Sequence, residues 1–110
     1  MDKITIKIPP KSIYLKSLRL LSSSLASDVG FDIEKVEDMR VLVSEAVNYK
    51  MSDEDIKIKF MVEKEKITVE VKGKDRIIEQ KALEMKNLIL ESLADKVQVK
   101  DDKIILTKEK

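Results

Sequence analysis

The sequence has no cysteine and no histidine, and these two absences remove whole classes of chemistry. Without thiols there can be no disulfide, no thiol nucleophile and no thiolate metal site; without imidazole the commonest acid/base group and metal ligand is gone. Any reaction would fall to carboxylates, lysines and hydroxyls. Long apolar runs are missing too. Nothing approaches the ~20 residues of a membrane span, and the N-terminal MDKITIKIP alternates where a signal peptide would carry a continuous apolar core. The expected location is therefore the cytoplasm, with no membrane partner. Nor is there an excess of one charge. The 22 Lys+Arg against 21 Asp+Glu leave a net +1, so composition supplies no long-range field to draw in nucleic acid or anionic lipid, and neither is expected as a partner. No Gly/Pro/Ser-rich linker divides the 110 residues, which reads as one domain over 1–110 with enough chain to bury a core unaided. Much Lys and Glu with few Gly also fits a heat-adapted source.

What is present is organised around Asp32 to Lys50, DIEKVEDMRVLVSEAVNYK. Ile33, Val36, Val43 and Val47 recur at helical spacing, and Met39, Leu42 and Ala46 widen the stripe into a face built for burial. Asp32 is placed to cap this helix, and Phe31 to fold back on Val36 as a hydrophobic staple. The opposite face carries Asp38, Glu45 and Asn48. Glu45 and Asn48, three apart, project from the same side; they either face one ligand or form an ordinary solvated face.

Around this helix the chain reads as follows. Lys3 to Ile8 alternates as a half-buried strand, which Pro9-Pro10 ends. A helix follows from Ser12, with Tyr14, Leu18, Leu21, Leu25 and Val29 as its stripe and Gly30 as its close; Ser22, Ser23 and Ser24 are small residues on its flank. Met51 to Asp55 connects to a hairpin in which Ile56, Ile58, Phe60 and Val62 face Ile67, Val69 and Val71 across a turn at Lys64-Glu65. Gly73 breaks the second strand. Asp75 is the expected cap of a third helix with the stripe Ile78, Ala82, Met85, Ile89 and Leu93. A second hairpin, Val97 and Val99 against Ile104 and Leu106, turns at Asp101-Asp102, and Lys108 to Lys110 form a charged tail.

This order predicts an α+β fold: a two-layer α/β sandwich whose mixed, mostly antiparallel sheet of about five strands carries three helices on one face. The other face should display rows of Lys, Glu and Thr. Leu18, Leu21, Leu25, Ile33, Val36, Val43, Val47, Ile58, Phe60, Val69, Val71, Ile89 and Leu93 are the expected core.

Over nearly its whole length the chain resembles the anti-sigma-factor serine kinases of the histidine-kinase-like (GHKL) ATPase superfamily. The resemblance rests on the element order, on VSEAVNYK at the end of the second long helix, and on LADKVQVKDDKIILTK near the end of the sequence. In that family the helix ends in Ser-Glu-Ala-x-x-Asn-Ala, the Glu being the proposed general base and the Asn a ligand of the magnesium on ATP. Ser44, Glu45 and Ala46 match; the Asn position falls on Tyr49, with Asn48 one residue early and about 100° round the helix.

The family's Asp-x-Gly-x-Gly, whose Asp binds adenine, falls on Lys72-Gly73-Lys74-Asp75-Arg76 with Gly73 at the Asp position; a shift of one or two residues would bring Asp75 there instead, with no glycine after it. The phosphate-cradling Gly-x-Gly falls on Glu84 and Lys86, and the flexible lid is reduced to helix. Glu84 would repel phosphate. The resemblance thus implies the histidine-kinase-like fold with a truncated lid and a regulatory protein-binding module without catalysis. Glu45 is then a vestigial base, no ATP, magnesium or other metal is bound, and the partner is a sigma factor, an anti-sigma antagonist or a second copy of the chain. The alternatives are an active ATP-dependent serine kinase and anti-sigma factor, with Glu45 as base, and a structural or dimerisation subunit of a regulatory assembly.

Overall fold

The computed structural model describes residues 1–110. Strand β1 (Asp2–Ile8) leads through a single 3-10 turn (Ser12–Tyr14) to α1 (Leu15–Val29) and α2 (Ile33–Tyr49). The hairpin β2 (Ile56–Glu63) and β3 (Lys66–Lys72), helix α3 (Gln80–Leu93) and the hairpin β4 (Lys96–Lys100) and β5 (Lys103–Glu109) follow. The five strands form one sheet in the order β1-β2-β3-β5-β4. All four pairings are antiparallel, so the parallel component of a mixed sheet is absent. Each hairpin folds on itself, and the two are joined through β3 and β5.

The helices share one face of the sheet, with α2 in contact with both α1 and α3. Ile56, Ile58, Phe60, Ile67, Val69 and Val71 are fully buried beneath them, and with Leu18, Met39, Leu42, Val43, Val47, Leu90, Ile104 and Leu106 belong to one apolar cluster. Leu21, Leu25, Val36 and Leu93 pack on its margin. Asp32 caps α2 through its carboxylate, which accepts from the Lys35 amide at 2.9 Å, and Phe31 is buried just ahead of it. Gly30 ends α1 at φ 94°, the left-handed conformation that glycine enters without a Cβ penalty. Asp101 takes φ 55° in the β4–β5 turn, a conformation Asp tolerates better than most residues.

Three expectations are corrected. Ile33 is not in the core: it is 85% exposed, because at 100° per residue it lies roughly 110° from the centre of the Met39–Val43–Ala46 stripe. Asp75 does not cap the third helix, which begins five residues later with Glu79 at its N-cap position and no side-chain cap. The buried side of that helix is also rotated. Leu90 and Lys86 are buried and Leu83 and Leu93 partly so, whereas Ala82 and Met85 are exposed and Ile89 stays outside the core cluster. Helix α3 lies at the margin of the helical layer, against α2 and the edge strand β4, so a single narrow stripe meets the core.

Lys108, expected in a charged tail, is instead a buried residue of β5 that joins the two layers. Lys108 continues the inward alternation of Ile104 and Leu106 on β5, and its Nζ bonds Asp38 of α2 at 3.1 Å and the carbonyl of Leu93. A cation at that carbonyl satisfies the C-terminal end of α3 and complements its dipole.

Candidate functional site

The end of α2 fixes the site. The apolar stripe of the helix continues through Val47 to Lys50, which is therefore carried inward and is 2% exposed. An ammonium so placed needs a counter-charge, and it comes from the segment between β3 and α3: Lys50 Nζ pairs with a carboxylate oxygen of Asp75. The Tyr49 hydroxyl donates to the other Asp75 oxygen at 3.4 Å. The segment is docked by its backbone as well, since the Arg76 amide donates to the Tyr49 carbonyl at 2.8 Å, using one of the carbonyls that a helix end leaves free. The Arg76 guanidinium donates to Asn48 Oδ1 at 3.1 Å, a favourable place for a cation at the C-terminal end of a helix. From α3, Lys86 brings its Nζ to 3.7 Å from the centroid of the Tyr49 ring, a close cation–π contact.

These contacts shift two protonation equilibria. Burial, then the Asp75 charge, then the hydrogen bond to it all push the Tyr49 phenol above its usual range. Lys86 is pulled below the usual lysine range by burial and by Lys50, against an opposing effect of Asp75. In the surrounding loops Lys74 pairs with Asp53 at 3.2 Å and holds its carboxyl below the usual range.

A cavity of about 160 Å³ remains, lined by Glu45, Asn48, Tyr49 and Lys86 with Arg76, Ile78 and Ala82. The fold thus brings Glu45, Asn48, Tyr49 and Asp75 into one neighbourhood, though Asp75 braces its wall and does not line it. Gly73 lies outside the cavity, behind Lys50: a Cβ on it would meet Lys50 Cβ at 3.4 Å, and its amide donates to the Asp102 carbonyl at 3.1 Å. Of the two α3 positions aligned with phosphate-binding glycines, Lys86 reaches the site, while Glu84 is exposed and accepts from Gln80 at 3.3 Å. Ser44 is engaged elsewhere, accepting from Arg19 of α1 at 2.8 Å. Glu45 enters none of the seven ion pairs. No group of three or more carboxylates converges on a point where a metal ion could sit.

Lys50 and Arg76 were not foreseen. The signal for Lys50 was present as a lysine continuing an apolar helical stripe; Arg76 had none.

A serine-protein kinase, RsbW, of Listeria monocytogenes is 34% identical to the chain over 77 residues, 64% of this chain and 49% of the relative. RsbW of Bacillus pumilus is 35% identical over 83 residues, 67% of this chain and 51% of its own. The chain is thus related to proteins named serine-protein kinase RsbW. A shorter match, 44% identity over 46 residues, links it to RsbW of Oceanobacillus iheyensis. No family model matches the sequence. The chain spans about half the length of the RsbW proteins of Listeria and Bacillus pumilus. No helix is long and apolar enough to cross a membrane.

Proposed function

We propose that the chain is a regulatory protein-binding module of the RsbW-like family in which the nucleotide site no longer accepts ATP with magnesium. The observation that carries this reading is the engagement of Asp75. Of the residues that could serve as the adenine acceptor, Gly73 has no carboxylate, and the Asp75 carboxylate is already paired with Lys50 and Tyr49. The residues around it do not fit the nucleotide either. The space left is about 160 Å³, below the roughly 300–1,000 Å³ of ordinary ligand sites. Tyr49 occupies the position of the metal-binding amide, the nearby Asn48 amide is held by Arg76, and a helix replaces the glycine cradle. A site whose polar partners are missing or spent forfeits several kcal/mol, because the groups the ligand desolvates stay unpaired.

Function would then pass through protein contact, with a sigma factor, an anti-sigma antagonist or a second copy as the partner. Titration calorimetry with ATP-magnesium and GTP-magnesium tests the first half: the expected result is no adenine-selective binding in the micromolar range, and such binding would overturn the reading. Pull-down from the native host tests the second.

One observation favours the alternative of an active kinase. Glu45 lines the cavity without a salt-bridge partner, the state a general base needs, and the RsbW relatives are named serine-protein kinases. Glu45→Gln separates the two. As a partly exposed helical residue it should change stability by no more than about 0.5 kcal/mol, and partner capture should be unchanged. A phosphotransfer activity that this substitution abolished would establish the kinase.

A further inference from the structure

The face of the sheet away from the helices carries a charge that composition conceals. Nine lysines (3, 7, 57, 59, 66, 72, 96, 100 and 103) and only three glutamates (63, 70 and 109) occupy its outward register positions, in a chain of net charge +1. The concentration is sharpest at one end. Lys7 pairs with Lys57, Lys57 with Lys72, Lys72 with Lys103 and Lys103 with Lys100, so a single register row places a lysine on every one of the five strands. Like charges directly opposite one another in a sheet are destabilising, and here four such oppositions follow in succession. Lys7 has a partner in Asp55 at 3.7 Å; Lys57, Lys72, Lys100 and Lys103 enter no ion pair. Two surface grooves, of about 450 and 210 Å³, open along the row and share Lys57 and Lys72.

We infer that this row is the docking site for an acidic polypeptide segment of a protein partner. At about 4.8 Å between strands the row is some 19 Å long, and an extended peptide lying along it would place a same-side carboxylate every ~6.6 Å, about three within reach of the row's five long lysine side chains. The character of the face argues against the other anions. None of its outward positions holds an arginine or an aromatic residue, which removes both the bidentate phosphate fork and the base-stacking platform. Glu54, Asp55 and Asp102 line the groove beside the row, where they repel the broad, continuously charged backbone of a duplex. The only bulky apolar residues at its outward positions, Met61 and Ile105, are separate and partly buried, short of the apolar face with which an interfacial binder enters a lipid surface.

The inference deepens the reading of the chain as a protein-binding module by naming the surface and the chemistry of the bound segment. The probe is a fluorescently labelled Glu-rich peptide, its binding followed by anisotropy. Lys57→Gln/Lys72→Gln/Lys103→Gln should weaken binding about tenfold or more, as expected from losing several exposed charge pairs. Lys11→Gln/Lys16→Gln/Lys81→Gln, which removes the same charge from exposed positions outside the sheet, should change it less than about twofold. Because the row variant relieves like-charge oppositions, it should melt no lower than the parent, which guards against loss of fold. Equal binding by parent and row variant, no binding by the parent, or tighter binding of duplex DNA or phosphatidylserine vesicles at the same ionic strength would each overturn the assignment. Capture of a native partner by the row variant as efficiently as by the parent would also overturn this surface, while leaving the protein-binding function itself intact.

Discussion

Lys50 and Asp75 make an unequal pair, the lysine 2% exposed and the aspartate 54%, and the inequality decides how each responds to substitution. Asp75→Asn leaves a buried ammonium without its counter-charge and should cost about 1–3 kcal/mol, less than a wholly buried pair would because half of Asp75 is solvated. Lys50→Met removes the charge and keeps the volume, and should be neutral or stabilising. Urea unfolding of the two variants would show the asymmetry, and equal losses would refute it. The phenol bound to the same carboxylate supplies a pH signature. Its folded pKa lies above the unfolded value, so its contribution is fully present below pH 10.0 and is lost as pH rises through the folded value. Lys86, depressed in the fold from 10.5, works in the opposite direction and favours folding increasingly as pH rises towards that value. In an absorbance titration one of the two tyrosines should ionise late, and Tyr49→Phe should abolish that late step. At this scale the signal was a lysine interrupting an apolar period, as Lys50 does on its helix and Lys108 on its strand, but neither was read as buried: Lys50 was passed over and Lys108 was expected in a charged tail. It was silent on Arg76, whose role depends on a loop that no periodicity describes.

Among the elements, strands were more legible than helices for a physical reason. A period of two leaves each residue one of two faces, so Ile56, Ile58 and Phe60 had to share a side once any of them was buried. A helical stripe can rotate continuously, and in α3 it did. Ile33 fails in the same way, being apolar and correctly spaced from Val36 yet outside the arc that meets the core. The contrast is measurable. Phe60→Ala should cost roughly 3–5 kcal/mol, whereas Ile33→Ala should stay within about 0.5 kcal/mol. Comparable losses from both in denaturant unfolding would mean that the helical layer sits differently from the arrangement described. The start of α3 was misplaced because Asp75, a good N-cap residue by type, is committed to Lys50.

Taken whole, the molecule divides its charge as it divides its layers. Because the sheet face collects lysine, the compensating carboxylates gather elsewhere, and a balance that looked featureless along the sequence becomes a strong asymmetry across the fold. Composition could not reveal this, because it depends on the register of five strands. The α+β architecture, the two hairpins and the vicinity of Glu45, Asn48, Tyr49 and Asp75 were legible, since each follows from local pattern or from family motifs. The bracing of the site by Lys50, Arg76 and Lys86 was not, since it needs three separate segments in place at once.

The position of β1 also governs the order in which the molecule assembles. Both hairpins close over two-residue turns, but β1 must wait for a partner that begins at Ile56, beyond two complete helices. Closing that long loop costs entropy that only the finished β2–β3 edge can repay. During synthesis β1 is made well before its partner and stays unpaired until β2 follows, and its outward Lys3 and Lys7 act as guards against pairing with the edges of other chains. Truncating Ile6 to Val should leave the folding rate nearly unchanged and raise the unfolding rate, a φ-value near zero. The same change at Ile58, inside the hairpin, should slow folding. The strand that opens the sequence would be the last to join the fold.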